Sequence, residues 1–110
     1  MNESEYQRRA DDVFKRIQDL FEDVDPDLAD AYAAGDVVTV TFADRTRCVI
    51  NTQRATHQIW MAYSANAWHF RHDPEADRWL DDKGRGAELF ATLADIVRGA
   101  ARVELPLSAR

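Results

Sequence analysis

Between Asp19 and Asp30 the chain carries six acids, Asp19, Glu22, Asp23, Asp25, Asp27 and Asp30, and no basic residue. Oxygen ligands at this density suit hard cations such as Ca²⁺, Mg²⁺, Mn²⁺ and Fe³⁺, with Fe²⁺ a borderline case. The same acids suit docking on a basic protein surface, and their plainest role is a solvated face. Asp23, Asp25 and Asp27 imitate the opening of a calcium loop. Leu28 stands where that loop needs glycine and Ala34 where it needs a bidentate glutamate, so an EF-hand is excluded. An open ridge without a cage is expected to bind cations weakly, at the surface, and to be screened by salt.

A second group occupies the middle of the chain: Asn51, Gln53, Gln58 and Trp60. Side chains alternate between the faces of a strand. If Ile50, Ile59 and Met61 face a core, then these four and His69 face away from it. An exposed tryptophan among amides is the chemistry of an interface anchor; its structural alternative is an indole lying flat on its own sheet. No active site emerges. His57, His69 and His72 lack an HExxH pattern or cysteine companions and read as surface histidines. Cys48 shares strand parity with Ile50, which predicts a buried, inert thiol rather than a nucleophile served by His57. Gly84-Arg85-Gly86 lacks the third glycine of a dinucleotide fingerprint.

These groups need elements to hold them. Tyr6, Ala10, Val13, Phe14, Ile17, Leu20, Phe21 and Val24 recur at helical spacing, predicting an amphipathic helix over 4–24 with Ser4 as N-cap. Asp25-Pro26 is expected to end it. Acids at that end oppose the helix dipole by about 0.3–1 kcal/mol each, so helix stability alone does not place them there. The upstream acids Glu3, Glu5, Asp11 and Asp12 are interleaved with Arg8, Arg9, Lys15 and Arg16. Alternation predicts strands over 38–42, 46–53, 58–63 and 67–71, a short one over 78–81 and an edge strand over 29–33. Leu89, Phe90, Leu93, Ile96, Val97 and Ala100 mark a final helix, with the tail from Val103 onward loosely ordered. Helix, strands, helix implies an α+β two-layer sandwich: two helices on one face of an antiparallel sheet of five to six strands, the other face open.

The bulk figures agree. The 110 residues suit one domain, 1–110, and 45% apolar content suits one core. A net charge of −6 argues against nucleic acid and for cations or basic patches as partners. The lone cysteine excludes a disulfide framework and fits a reducing cytoplasm. No signal segment and no membrane span is expected, since the start lacks a basic and apolar leader and no apolar run is long enough.

Ile50-Asn51-Thr52-Gln53, then His57-Gln58-Ile59-Trp60-Met61-Ala62, then Trp68-His69-Phe70 resemble the signature of the frataxin family. The opening Met1-Asn2-Glu3-Ser4-Glu5-Tyr6 and the acidic helix end resemble its bacterial branch. Here the family's proline falls at Ala55 and its glycine at Ala67. The resemblance implies a frataxin-like fold and iron, Fe²⁺ or Fe³⁺, held at the surface. It also implies a part in iron–sulfur cluster assembly, as regulator of the cysteine desulfurase and scaffold machinery or as iron donor. By position it gives Glu3, Asp19, Glu22, Asp23, Asp25, Asp27 and His57 as metal candidates. Asn51, Gln53, Gln58 and Trp60 become partner-binding candidates. A non-enzyme is expected, monomeric or forming iron-dependent oligomers. The competing expectation is an acidic interaction module with incidental metal binding. A ferroxidase is disfavoured, because it needs a fixed carboxylate site.

Overall fold

The computed structural model describes residues 1–107; Ser108, Ala109 and Arg110 lie outside the described residues. Helix α1 runs Glu3–Leu20, followed by strands β1 Ala29–Ala34, β2 Val37–Phe42, β3 Arg47–Gln53, β4 Gln58–Tyr63, β5 Asn66–Asp73 and β6 Arg78–Asp81, and by helix α2 Leu89–Ala101. The six strands form one sheet in chain order, each antiparallel to the next. Both helices lie on one face of this meander, as the element order predicts. The expected edge strand exists, one residue longer than its alternation shows.

The inner face is built by every second residue. Val38, Val40, Phe42, Cys48, Ile50, Ile59, Met61, Phe70 and Trp79 are buried there. They meet Tyr6, Ala10, Val13, Ile17 and Leu20 of α1 and Leu89, Phe90, Leu93, Ala94 and Val97 of α2. Burying such a side chain contributes roughly 1.5–3 kcal/mol. The expected core placement of Cys48 and Trp79 holds, and Trp68 packs half-buried against the same cluster. The β1–β2 hairpin turns through Gly35 and Asp36, since Ala34 already pairs with Val37. Gly35 sits at φ +59, a conformation that a side chain disfavours in so tight a turn.

Several boundaries differ from the sequence expectations. The N-cap of α1 is Asn2, whose Oδ1 accepts from the Glu5 N–H at 2.8 Å; Ser4 lies inside the helix. Asn2 wins because it adopts the extended backbone a cap needs, three residues before that orphan donor. The helix also stops at Leu20, not at Asp25-Pro26. No basic residue occupies its last turn, and the acids that follow oppose continuation of the dipole. The tail is not loose as far as it is described: Leu105 is buried and Val103 and Leu107 pack on the core. Arg16 holds it, stacking over Phe90 at 4.1 Å while donating to the Leu107 carbonyl at 3.2 Å.

The segment between β6 and α2 is held by a Leu80–Glu88 bridge, by the Asp81 N–H on the Ala87 carbonyl and by one ion pair. Arg85 donates from Nε and Nη2 to the two oxygens of Asp81, both at 2.8 Å, and Nη2 also reaches the Ala67 carbonyl at 3.1 Å. The Asp81 side chain has no exposed surface. The Arg85 hydrogen bonds hold its carboxyl down at about 2. Glu88 then caps α2, its carboxylate accepting from the Phe90 and Ala91 N–H groups. A folded-state value below the unfolded one, about 3.9, means stability that is fully present above about pH 5 and lost as pH falls through about 2. Arg85→Ala should therefore destabilise the protein by about 1–3 kcal/mol at neutral pH. Urea unfolding across pH 7 to 2 should show that deficit shrink in acid; a deficit unchanged at pH 2 would refute this origin.

Candidate functional site

The seven metal candidates fall into two groups at opposite ends of α1. Glu3 and Asp19 are separated by 16 helical residues, roughly 24 Å along the axis. At the N-terminal end, Glu3 Oε2 lies 3.3 Å from His57 Nε2. His57 follows the short 3-10 turn Arg54–Thr56 in a left-handed conformation, φ 53, and stacks on the Tyr6 ring at 4.9 Å. A carboxylate and an imidazole thus meet across 54 residues of sequence.

At the other end, Asp19 lies in the last turn of the helix and Glu22, Asp23, Asp25 and Asp27 follow in the connection to β1, all exposed. The Asp25 carboxylate accepts from the Asp27 N–H at 2.9 Å, a turn device that keeps both acids at the surface. Asp19, Asp23 and Asp25 line a cleft of about 440 Å³ with Leu20, Val24 and Leu28, closed on the far side by Val103, Glu104 and Pro106. The ridge is not wholly without cations: Lys15 Nζ sits 3.0 Å from Asp19 Oδ2. Both side chains are exposed, so the pair contributes at most about 1 kcal/mol and is screened by salt. No ion pair reaches Glu22, Asp23, Asp25 or Asp27 among the described residues. Among the same residues, no three histidine, cysteine, aspartate or glutamate side chains converge as a metal-holding group.

The outer sheet face carries a cross-strand row, Val37, Asn51, Trp60 and His69, each opposite the next. The next row begins Gln53, Gln58 and Arg71. Asn51, Gln53 and Trp60 are half-buried. Trp60 stacks on His69, centroids 4.1 Å apart and planes 13° from parallel. It is therefore partly laid on its own sheet, with one ring face covered.

Gln58 departs from the expectation of an exposed amide: it is 3% exposed. Its Oε1 accepts from the Trp60 Nε1–H and the Thr56 hydroxyl, and its Nε2 donates to Asp82. Those neighbours cover an outward-facing residue, which strand parity cannot reveal. Its carbonyl and the Gln53 N–H both bond the Tyr6 hydroxyl, at 2.7 and 3.1 Å, so α1 reaches under the β3–β4 connection. Tyr6, Asp82 and Thr56 escaped the sequence reading as site residues because each acts on a neighbour far away or around a turn.

Of the histidines, His72 is buried rather than superficial, its Nε2 2.9 Å from Asp77 Oδ1 and 3.4 Å from Arg9 Nη1, with Trp79 edge-on. Strand parity places it on the inner face at the sheet margin. Burial pushes the Cys48 thiol up to about 12, so it is protonated and inert at neutral pH.

Helices on one face of a six-strand meander, an acidic helix end and an amide-flanked tryptophan define a class. A frataxin-like domain model matches residues 1–102, and the chain belongs to that family. Among its curated relatives is the Iron-sulfur cluster assembly protein CyaY of Delftia acidovorans. It is 42% identical over 95 residues, covering 86% of this chain and 80% of that protein. The protein of the same name from Albidiferax ferrireducens is 35% identical over 97 residues, covering 86% of each. A solved frataxin from Psychromonas ingrahamii superposes with a TM-score of 0.86 at 27% identity, covering 96% of both chains. A trimeric frataxin of Saccharomyces cerevisiae, complexed with ferrous iron, gives 0.72 at 26% identity over 86% of this chain and 87% of that one.

Tyr6→Phe keeps the ring and removes the hydroxyl, stranding the Gln53 N–H and Gln58 carbonyl. It should lower stability by roughly 1–3 kcal/mol in urea unfolding. The Gln53 amide should also lose hydrogen-exchange protection. Wild-type protection at Gln53 would show that the hydroxyl does not tie the helix to the hairpin.

Proposed function

We propose that this chain is an iron-binding protein of iron–sulfur cluster assembly, acting as a regulator of the cysteine desulfurase and scaffold machinery or as its iron donor. The observation that carries the reading is the set Glu22, Asp23, Asp25 and Asp27. These acids are exposed, have no cationic partner among the described residues, and stand on a frataxin-like fold. The whole chain acts as one such domain in the cytoplasm, a monomer that forms oligomers when iron is loaded. Among the described residues, no helix is long and apolar enough to cross a membrane.

Iron, as Fe²⁺ or Fe³⁺, is bound as cargo. Carboxylate oxygens suit it and other hard divalent cations, and an open ridge gives weak, exchangeable binding. Glu3 with His57 is a second, separate contact, mixing an oxygen and a nitrogen ligand. The reading is of binding rather than catalysis; it is supported by the burial of the Cys48 thiol and by the open, exposed placement of the ridge acids. The desulfurase meets the ridge through basic residues, and the scaffold meets the outer face through Asn51, Gln53 and Trp60. The relatives named for cluster assembly and the neighbour complexed with ferrous iron support this reading.

Titration with Fe²⁺ and, separately, Fe³⁺, followed by backbone NMR and sedimentation, should move resonances at 19–30 first and those of Glu3 and His57 at higher iron. Shifts scattered over the molecule, with none concentrated at 19–30, would dismiss the metal assignment. Reversing two ridge charges, Glu22→Lys with Asp23→Lys, should weaken desulfurase binding by roughly tenfold at low salt, a difference that fades as salt is raised. Equal binding of variant and wild type at low salt would remove the ridge as the docking surface.

A further inference from the structure

The indole N–H of Trp60 is fixed by a chain of hydrogen bonds with a single permitted direction. Gln58 Nε2 donates to Asp82 Oδ2 at 2.8 Å. The amide oxygen is thereby turned the other way, where it accepts from Trp60 Nε1–H at 2.9 Å and from the Thr56 hydroxyl at 3.0 Å. An ionised carboxylate only accepts, and an indole N–H only donates. An amide turned end for end would oppose oxygen to oxygen at Asp82 and N–H to N–H at Trp60. Its direction is thus dictated from both ends, and at 3% exposure Gln58 has little water to replace a lost partner.

The same carboxylate reaches the other side of the tryptophan. The Asp82 N–H donates to the His69 carbonyl at 2.9 Å, and its Oδ2 lies 3.9 Å from His69 Nδ1. His69 is the ring on which Trp60 stacks. One residue beyond the end of β6 therefore holds both the hydrogen-bond partner and the stacking partner of Trp60. Its own side chain is mostly covered, 23% exposed.

We infer that Asp82 is a positioning residue for the outer sheet face, setting the plane of the Trp60 indole through Gln58 and His69. Gln58 accordingly belongs to the support of the surface rather than to its contact area. An indole held in one orientation before the partner arrives spares the complex the ordering of a large side chain. Rigid aromatic anchors of this kind dominate interface affinity. The inference rests on the reading that the Trp60 face is a docking surface, but its first test needs no partner.

In the free protein, ¹⁵N NMR reads the Trp60 indole directly. Asp82→Ala should shift the Nε1–H resonance and speed its exchange with solvent roughly tenfold. Asp82→Asn retains an oxygen acceptor for Gln58 Nε2 and should restore most of both. A role in stability alone would lower the urea midpoint and leave the indole signal in place. That result, or a failure of Asn to do better than Ala, overturns the inference. Should Asp82→Ala fold poorly, Gln58→Glu carries the same test. It replaces the amide donor with a carboxylate facing Asp82, and an unaltered indole signal again overturns the inference. Affinity for the scaffold protein should then fall several-fold in Asp82→Ala and further in Trp60→Ala. If Trp60→Ala binds as wild type while the indole results stand, the docking reading fails and the positioning role does not.

Discussion

The Tyr6 hydroxyl is the joint between the two surfaces of this protein. It is fully buried, donates to the Gln58 carbonyl and accepts from the Gln53 N–H. Those two backbone groups belong to the last pair of the β3–β4 ladder, Gln53 opposite Gln58, and the hydroxyl bridges them next to the turn. Burial pushes the Tyr6 phenol up, so the group stays protonated and keeps donating. Because the joint lies one turn into α1, it fixes the start of the helix against the hairpin. Glu3 is thereby carried to His57, whose ring rests on that of Tyr6. The acids at the far end then project from a rod whose other end is pinned. A phenylalanine at this position would fill the same space and leave two buried backbone groups unpaired.

The surfaces are built on opposite physical terms. The outer face is organised by short-range, directional bonds: an amide oriented from both ends and an indole stacked on an imidazole. The ridge is organised by almost nothing. Among the described residues its one ion pair is the screened Lys15–Asp19 contact in the last helical turn, and the acids from Glu22 to Asp27 are exposed in the connection to β1. The helix ends before them, as unfavourable charge at a C-terminus requires. The core can carry this local conflict because α1 is held by five buried side chains rather than by its own end charges. A conflict between local charge and local structure that the rest of the fold tolerates is the usual mark of a working surface.

Much of this architecture is legible in the sequence, and most of the rest has a common reason for being hidden. Helical spacing through Tyr6, Val13 and Ile17 and alternation through Val38, Val40 and Ile50 report which side is buried, so both helices and all six strands could be read. Parity assigned Asn51 and Trp60 to the outer face correctly. It could not show that Gln58, on that same face, is buried beneath Trp60, Thr56 and Asp82. Parity tells which way a side chain leaves the backbone, not what later folds over it. His72 failed as a surface residue for a different cause: its inner parity, shared with Phe70, was there to be read, and at the sheet margin it buries the ring against Trp79 and Arg9. The tail looked free because what holds it, Arg16 over Phe90 and onto Leu107, joins three segments distant in the chain. Asn2 and Ser4 are both competent caps, and only the backbone conformation chooses between them.

These differences set how each surface responds to its surroundings. Electrostatic interactions at the ridge weaken with salt, because its acids are exposed. The outer face owes its order to part-buried, directional hydrogen bonds, which salt screens less than it screens exposed charges. An ion bound between Asp19 and Asp27 sits at the end of α1 away from Tyr6, and the pinned joint separates it from Trp60. On the proposed reading, iron on the ridge would alter how that ridge meets a basic partner without reshaping the tryptophan face. The same reading has two partners, one read by charge and one by shape, engaged together and tuned separately. The helix, pinned at one end and left acidic at the other, is what keeps the two surfaces physically apart.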